Sequence, residues 1–471
     1  MSNIESEDRK RPAVSTGASP AAKKNRFGAG AGSKPEHLAE SSYEARTMDV
    51  RCNDSVHRSI DCCPLMHTVM DTWPVQRLRD IKQLGTTYLV YPSGDHSRFE
   101  HSLGVAYLAQ EMCKRLQSKY PAFGVTDKDV LCVTLAGLCH DLGHGPFSHL
   151  YEEFREEVNA ELERDSAKRE LYKKFPPVKP NWSHERSSLM MIDAVLRDLG
   201  LGIDLKEENL DEPLLQIENI LAAESIRCFS GSLQADDAIL TNRDWIFIKE
   251  CVYGGPIPEV LEHFGKNERI GRTNPKVEWL YDIVSNRYNG IDVDKVDYFA
   301  RDQQRTLNDN GKVDVSIINE ARVALAACAD SDCSRCREGT MHYQICYPKK
   351  CVTRIIDFFK TRGILHEFVY QHKTTCAASC MVIDILKMAD PYYLIPTDDL
   401  EVSLPISRAF SNPGAFDHLR DSIIEDISRS SAPELQPAKE LAIRFKRRIL
   451  YSKFRCFAES SITDRDGRNS F

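Results

Sequence analysis

The chain has no run of 18 or more apolar residues, which excludes a conventional transmembrane helix. Its N-terminus (MSNIESEDRKRPAVSTG) lacks the apolar stretch of a secretory signal. The 16 cysteines follow no regular framework, so they are expected to be reduced intracellular thiols rather than disulfide staples. Positive charge is not in excess: the net charge is -8, which excludes a protein that coats nucleic acid by overall charge and leaves only local basic patches. Residues 1–46 have almost no aliphatic side chain larger than alanine, so they cannot offset their ordering entropy and are expected to form a disordered tail. That tail carries two basic clusters, Arg9-Lys10-Arg11 and Lys23-Lys24-Asn25-Arg26. They read as a nuclear import signal, giving a nuclear location with the cytoplasm as the other compartment; the competing reading is a solvated tail.

What is present is enough apolar material for a large core, at 42% of 471 residues. The composition turns globular at Thr47. Helical spacing is read at 73–83, 101–117, 185–199, 214–228, 243–252, 276–302, 352–372 and 376–390. Residues 151–175 are heavily charged and predict a solvated helix or helix pair. Thr126 and Asp129 form a capping-box variant that opens an almost wholly apolar helix, which ends near His140 and Asp141 with Gly143 as its stop. Residues 86–91 (TTYLVY) predict a short hairpin strand. No internal repeat is visible, and the fold class is mostly α, a helical core with a few short strands.

The chemistry concentrates in residues 139–149 (CHDLGHGPFSH), which hold His140, Asp141, His144 and His149. Five of the 14 histidines lie between residues 101 and 184, the others being His101 and His184. Antiparallel neighbouring helices would bring His101 and the His140-Asp141 pair to one end of a layer. Imidazole and carboxylate suit a divalent metal. A further ligand is sought in DVDKVDYFARD, which offers Asp292, Asp294, Asp297 and Asp302. There Asp294, Tyr298 and Asp302 share one helical face, and Arg362, His366 and Tyr370 repeat that spacing. Arg98 and Lys295 add cations, so a phosphate ester is the substrate class that fits, with His144 and His149 available for proton transfer.

Taken together, HSRFEHSLGV, CHDLGHGPFSH, WSHE and NGIDVDKVDYFARD resemble the HD-domain phosphohydrolases. More narrowly, they resemble the SAM- and HD-domain-containing deoxynucleoside triphosphate triphosphohydrolases of animals, from about residue 50 to about 395. The resemblance implies an all-α HD core that cleaves dNTPs to deoxynucleoside and intact triphosphate, lowering dNTP pools and restricting viral replication. It implies His101, His140, Asp141 and Asp294 as ligands of Fe, Zn or Mn, with Mg on the triphosphate. His144, His149 and His184 would line the α-phosphate, His149 as proton donor with Glu152 orienting it. Arg98, Lys295 and Arg362 would hold phosphates. Gln83, Leu84 and Asp302 would meet the sugar, Tyr370 would exclude a 2′ hydroxyl, and Tyr298, His366 and Gln371 would complete the pocket. GTP or dGTP activation would use Asn53, Asp71, Gln76 and Arg79, then Lys350, Arg354 and Lys373, in a homo-oligomer, dimer or tetramer.

The sequence departs from that pattern in several places. Glu152 stands where the family has aspartate. The RCNDSVHRS stretch lacks the family's proline after Asn-Asp, and Arg51 replaces an apolar residue. No SAM domain is expected ahead of a core spanning 47–395, and 396–471 is expected to be a truncated C-terminal helical segment, which weakens the case for assembly and allosteric control. Cys328, Cys333, Cys336, Cys346 and Cys351 read as a thiol-bearing insertion rather than a zinc site. The basic run 444–455 divides evenly between a nucleotide or single-stranded nucleic-acid contact and an ordinary charged helix face. Two rival functions are an HD phosphodiesterase or nucleotidase and an inactive paralogue that binds nucleic acid or partner subunits.

Overall fold

A computed structural model describes residues 50–176, 182–203, 206, 209–211, 240–265, 268–307, 313–328, 341–399 and 402–452. The tail 1–46, the helical pattern at 214–228, and Cys333 and Cys336 lie outside the described residues, or almost wholly so.

Two capping boxes begin the helices that carry the central histidines. In α3 (Arg98–Lys119), Ser97 Oγ accepts the Glu100 N–H, and Glu100 returns the bond to the Ser97 N–H. The preceding short helices are α1 (Pro64–Met70) and α2 (Trp73–Gln76), the latter running into a 3-10 turn, Arg77–Asp80. In α4 (Asp127–Cys139) the same box is made by Thr126 and Asp129. Each box satisfies donors that a helix start leaves open and contributes about 1 kcal/mol. His101 therefore lies one turn inside α3 rather than at its first residue.

Helices α3 and α4 pack along each other, Leu131, Val133, Leu135 and Leu138 of α4 being inaccessible to solvent. Charged α5 (His149–Arg164) and α6 (Ser166–Tyr172) follow, then α7 (His184–Asp198). α8 (Asn242–Tyr253) lies against both α4 and α7, and α9 (Pro258–Phe264) follows it. The helix expected over 276–302 is two elements: a 3-10 segment, Pro275–Asp282, and α10 (Val293–Thr306), which starts afresh at the Asp292 N-cap. α10 packs on α3, and α11 (Val352–Leu365) on α10. α11 continues as a π-helical turn, His366–Tyr370, before α12 (Lys373–Ala389). Short helices α13 (Pro413–Asp417), α14 (Ile423–Arg429) and α15 (Gln436–Lys446) are the last described, and α15 packs directly on α12.

Among the described residues the strands form three two-stranded antiparallel hairpins: β1 (Val50–Asp54) with β2 (Arg58–Cys62), β3 (Arg322–Ala327) with β4 (Met341–Cys346), and β5 (Leu394–Pro396) with β6 (Ser403–Pro405). No described helix is long and apolar enough to cross a membrane. Residues 86–91 are not a strand. Gly85–Leu89 is a 3-10 turn packed on α12, where Thr86 Oγ1 meets the Thr375 carbonyl and Ser379 Oγ. β-branched and aromatic residues there fill a helical layer because no partner strand lies beside them.

Candidate active site

α4 ends on His140, which is its C-cap, and the chain then turns through Asp141 to Pro146. Gly143 does not stop the helix by a left-handed conformation. A Cβ at Gly143 would stand 2.0 Å from the His184 carbonyl oxygen and 2.3 Å from the Ser188 nitrogen. Its missing side chain lets the loop touch the start of α7, where the Gly143 N–H donates to Ser188 Oγ at 2.9 Å and that hydroxyl donates to the His140 carbonyl at 2.7 Å. That contact is what brings His184 beside His144, their rings stacked 4.2 Å apart.

His101, His140, Asp141 and Asp294 converge from α3, α4, the loop after it and α10. His101 Nε2 is 3.2 Å from His140 Nε2 and 3.0 Å from Asp294 Oδ1. His140 Nε2 lies 3.4 Å from both Asp141 Oδ1 and Asp294 Oδ1. The other nitrogen of each ring is already committed: His140 Nδ1–H donates to the Gly137 carbonyl at 2.8 Å, and His101 Nδ1–H to Asp297 at 2.8 Å. Both rings therefore aim an Nε2 lone pair at one point, beside two carboxylates. Unpaired lone pairs this close repel, so the donor set fits a divalent cation, with two imidazoles and two carboxylates as its partners. Burial alone would depress the His101 pKa, but Asp294, Asp297 and Asp141 raise it to about 10, which records how much negative charge faces this ring. Against the same burial, His101 and His140 hold the Asp294 carboxyl far below its usual range.

A second cluster joins His144, His149, Glu152 and His184. Glu152 accepts from His184 Nδ1 at 2.5 Å and meets His149 Nδ1 at 3.1 Å. Burial opposes ionisation of Glu152, but these two imidazoles pull its pKa far below the carboxylate norm. Burial also opposes protonation of His184, and Glu152 outweighs it. Burial, then Arg98 and His184, push His144 well below 6.5, so its ring is neutral. His144 Nδ1 is buried with no hydrogen-bond partner among the described residues.

These groups open on a cavity of about 520 Å³, within the range that encloses small ligands. Gln83, Leu84, Arg98, His101, Asp141, His144, His149, His184, Asp294, Tyr298, Asp302, His366 and Tyr370 line it. In the same lining, Tyr370 O–H donates to Asp302 Oδ2 at 2.7 Å and His96 Nε2 meets Asp302 Oδ1 at 2.9 Å. Burial first, then Asp302, raises the Tyr370 phenol well above 10.

Other sequence-chosen residues stand apart from the cavity lining. Arg362 is exposed on α11, and the π-helical turn after it breaks the regular spacing assumed for Arg362, His366 and Tyr370. Gln371 is exposed one residue beyond that turn. Lys295 Nζ donates to Asp292 at 2.9 Å. Of the activator candidates, Gln76 accepts from Arg79 Nε at 2.8 Å and donates to the Met70 carbonyl, next to Asp71. Asn53 is exposed on β1. Arg354 is engaged with Asp314 and Glu320, Lys350 with Glu320, and Lys373 opens α12.

Several contributors were not singled out by sequence. His57 and Arg301 bind Asp297, and Ser148 accepts from Arg98 at 2.8 Å. Asp421 accepts from the Phe147 N–H at 2.6 Å and the Lys82 N–H at 2.9 Å, pinning a loop in which Phe147 and Ser148 both have positive φ. His96 stands in the HSRFEH run and could have been found there. Asp421 comes from 274 residues beyond Phe147 and left no local signal.

Comparison with known proteins agrees with this geometry. Residues 98–198 match the HD domain. The chain is 35% identical over 402 residues to the deoxynucleoside triphosphate triphosphohydrolase SAMHD1 of Gallus gallus, covering 85% of this chain and 55% of that protein. The figures for the Homo sapiens protein of the same name are 35% over 402 residues, 85% and 54%. A SAMHD1 homolog of Dictyostelium discoideum is 28% identical over 419 residues, with 88% and 62% covered. The chain thus spans little more than half the length of these relatives. The HD motif, the converging ligands on α3, α4 and α10, and this similarity lead to one conclusion: residues 98–198 of the chain carry an HD domain.

Proposed function

We propose that the protein is a metal-dependent deoxynucleoside triphosphate triphosphohydrolase. The observation that carries this reading is that one cavity is lined both by His101, Asp141 and Asp294, with His140 beside them, and by the Asp302–Tyr370 pair. A phosphate ester fits the first and a deoxyribose the second. The name borne by the animal relatives is in keeping with it.

His101, His140, Asp141 and Asp294 would hold the metal, iron, manganese or zinc suiting the donors. A bound divalent cation supplies Lewis acidity toward a phosphoryl oxygen and toward water. Arg98 donates to Asp141 at 2.5 Å and so holds that ligand in place while it lines the phosphate end of the cavity. His149, exposed toward the cavity and oriented by Glu152, donates a proton to the leaving 5′ oxygen. Water's oxygen bonds to the α-phosphorus, the bond from that phosphorus to the 5′ oxygen breaks, and the proton from water restores His149. Asp302, held by His96 and Tyr370, accepts from the sugar 3′ hydroxyl. The Tyr370 ring fills the space a 2′ hydroxyl would need.

Activation by GTP or dGTP at the surface of Asp71, Gln76 and Arg79, assembly into a homo-oligomer, and a nuclear location directed by the basic clusters belong to the same proposal. The test is incubation of the purified chain with each dNTP, with and without GTP, and chromatography of the products. Deoxynucleoside plus triphosphate is expected. Monophosphate plus pyrophosphate, or no turnover with any of the three metals, would overturn the reading.

A further inference from the structure

A buried charge cluster behind the cavity lining is centred on Asp297. All four of its acceptor positions are used. Oδ1 receives His57 Nε2–H at 2.6 Å and Arg301 Nη2–H at 3.0 Å, and Oδ2 receives His101 Nδ1–H at 2.8 Å and Arg301 Nε–H at 2.9 Å. Arg301 Nη1–H donates onward to Asp54 Oδ2 at 2.7 Å. The other Asp54 oxygen takes the backbone N–H groups of Val56 and His57, closing the turn between β1 and β2. The side chains of His57, Asp297 and Arg301 are all 1% exposed or less. A place is built for them in α3: a Cβ on Gly104 would stand 2.0 Å from Asp297 Oδ1 and 2.5 Å from Arg301 Nη2.

We propose that the β1–β2 hairpin is an outer brace of the metal-ligand cluster: His57 and Asp54 are positioning residues that hold the Asp297–Arg301 pair, which in turn sets the tautomer and direction of His101. The proposal rests on the reading that His101 is a metal ligand. With Arg301 and both imidazoles donating to it, Asp297 stays ionised and can only accept. His101 must then carry its proton on Nδ1 and present a bare Nε2 to the metal, the arrangement by which an outer carboxylate raises the basicity of a ligating histidine. Without the His57 bond, Asp297 Oδ1 keeps only the Arg301 Nη2–H, and the carboxylate can tilt within its remaining bonds to Arg301. The ring of His101 follows it. The same hairpin carries Asn53, so whatever moves β1 acts on a metal ligand through three hydrogen bonds.

The experiment measures Mn2+ alone, without nucleotide, by equilibrium dialysis and elemental analysis of the full chain, alongside a thermal melt. His57→Phe is expected to weaken Mn2+ binding by about 10-fold and Asp297→Asn by up to about 100-fold. His57→Gln, which keeps an N–H donor, is expected to restore most of the affinity. A His57→Phe protein that melts like the parent and binds Mn2+ equally well would overturn the brace, and so would a Gln variant no better than Phe. If His57→Phe does not fold, Asp54→Asn decides: it keeps the turn acceptor, turns an amide toward Arg301, and unchanged Mn2+ affinity there overturns the proposal. A parent chain that binds neither Mn2+, Fe2+ nor Zn2+ overturns it too. A chain that shows the brace but releases no triphosphate from dNTPs overturns only the functional reading.

Discussion

Replacing Asp421 by asparagine should make the protein relatively more stable as pH rises. Asp421, just before α14, is partly buried, and its carboxylate accepts from the backbone N–H groups of Phe147 and Lys82. Burial raises its pKa from 3.8 to about 6, more than those two bonds and the charges of Lys82 and Arg77 lower it. The sign follows from proton linkage: between pH 4 and 6 the folded chain holds this proton more tightly than the unfolded chain. The group therefore contributes stability at low pH that is lost as pH rises through 6. The full interval corresponds to about 3 kcal/mol, and partial solvent access reduces it to about 2 kcal/mol. Asparagine cannot ionise; it retains one acceptor and turns an amide toward the second N–H, a loss of about 1–2 kcal/mol that does not vary with pH. Urea unfolding of parent and Asp421→Asn at pH 4, 5, 6, 7 and 7.5 isolates the effect, because every other titration cancels in the difference. The difference should shift by about 2 kcal/mol toward the variant across that range. A difference flat to within about 0.5 kcal/mol, the spread of independent sites, would refute the assignment of a raised pKa to Asp421.

Three further outcomes follow from the geometry. Gly104→Ala should destabilise the fold by about 3 kcal/mol, since its Cβ displaces the buried Asp297–Arg301 pair; a melting temperature equal to the parent's would show that the pair can move aside. Glu152→Ala should lower turnover of dNTPs by about 100-fold while leaving Mn2+ content unchanged, because Glu152 orients His149 and His184 and touches no metal ligand; loss of metal would reassign it. Tyr370→Ala should raise turnover of ribonucleoside triphosphates relative to dNTPs by about 10-fold, and an unchanged ratio would remove Tyr370 from sugar selection.

The helical class, the cap of α4 and the approximate positions of α4, α7 and α12 were legible because they depend on local chemistry: Thr126 with Asp129, apolar spacing, and charge on one face. Local chemistry also misled. Residues 86–91 have the side chains of a strand, yet form a 3-10 turn because α12, rather than another strand, lies beside them. Arg362, His366 and Tyr370 were spaced for one helical face, but a π-helical turn spans His366–Tyr370, and of the three only His366 and Tyr370 line the cavity.

By itself the sequence determined which residues could do chemistry: a His-Asp pair at the end of a buried helix, a histidine on the helix before it, and an acid–tyrosine–acid stripe later in the chain. Those are local periodicities and side-chain types, and they survive without a fold. Only the tertiary structure decided which nitrogen of His101 faces the metal position, because that depends on Asp297, 196 residues away, and on His57, 240 residues from Asp297. It also decided why Gly143 is glycine, through the approach of α7, and how Asp421 reaches the loop at Phe147. Hydrogen bonds between distant segments leave no periodic trace in the chain; their partners meet only when the apolar faces of α3, α4 and α10 have packed.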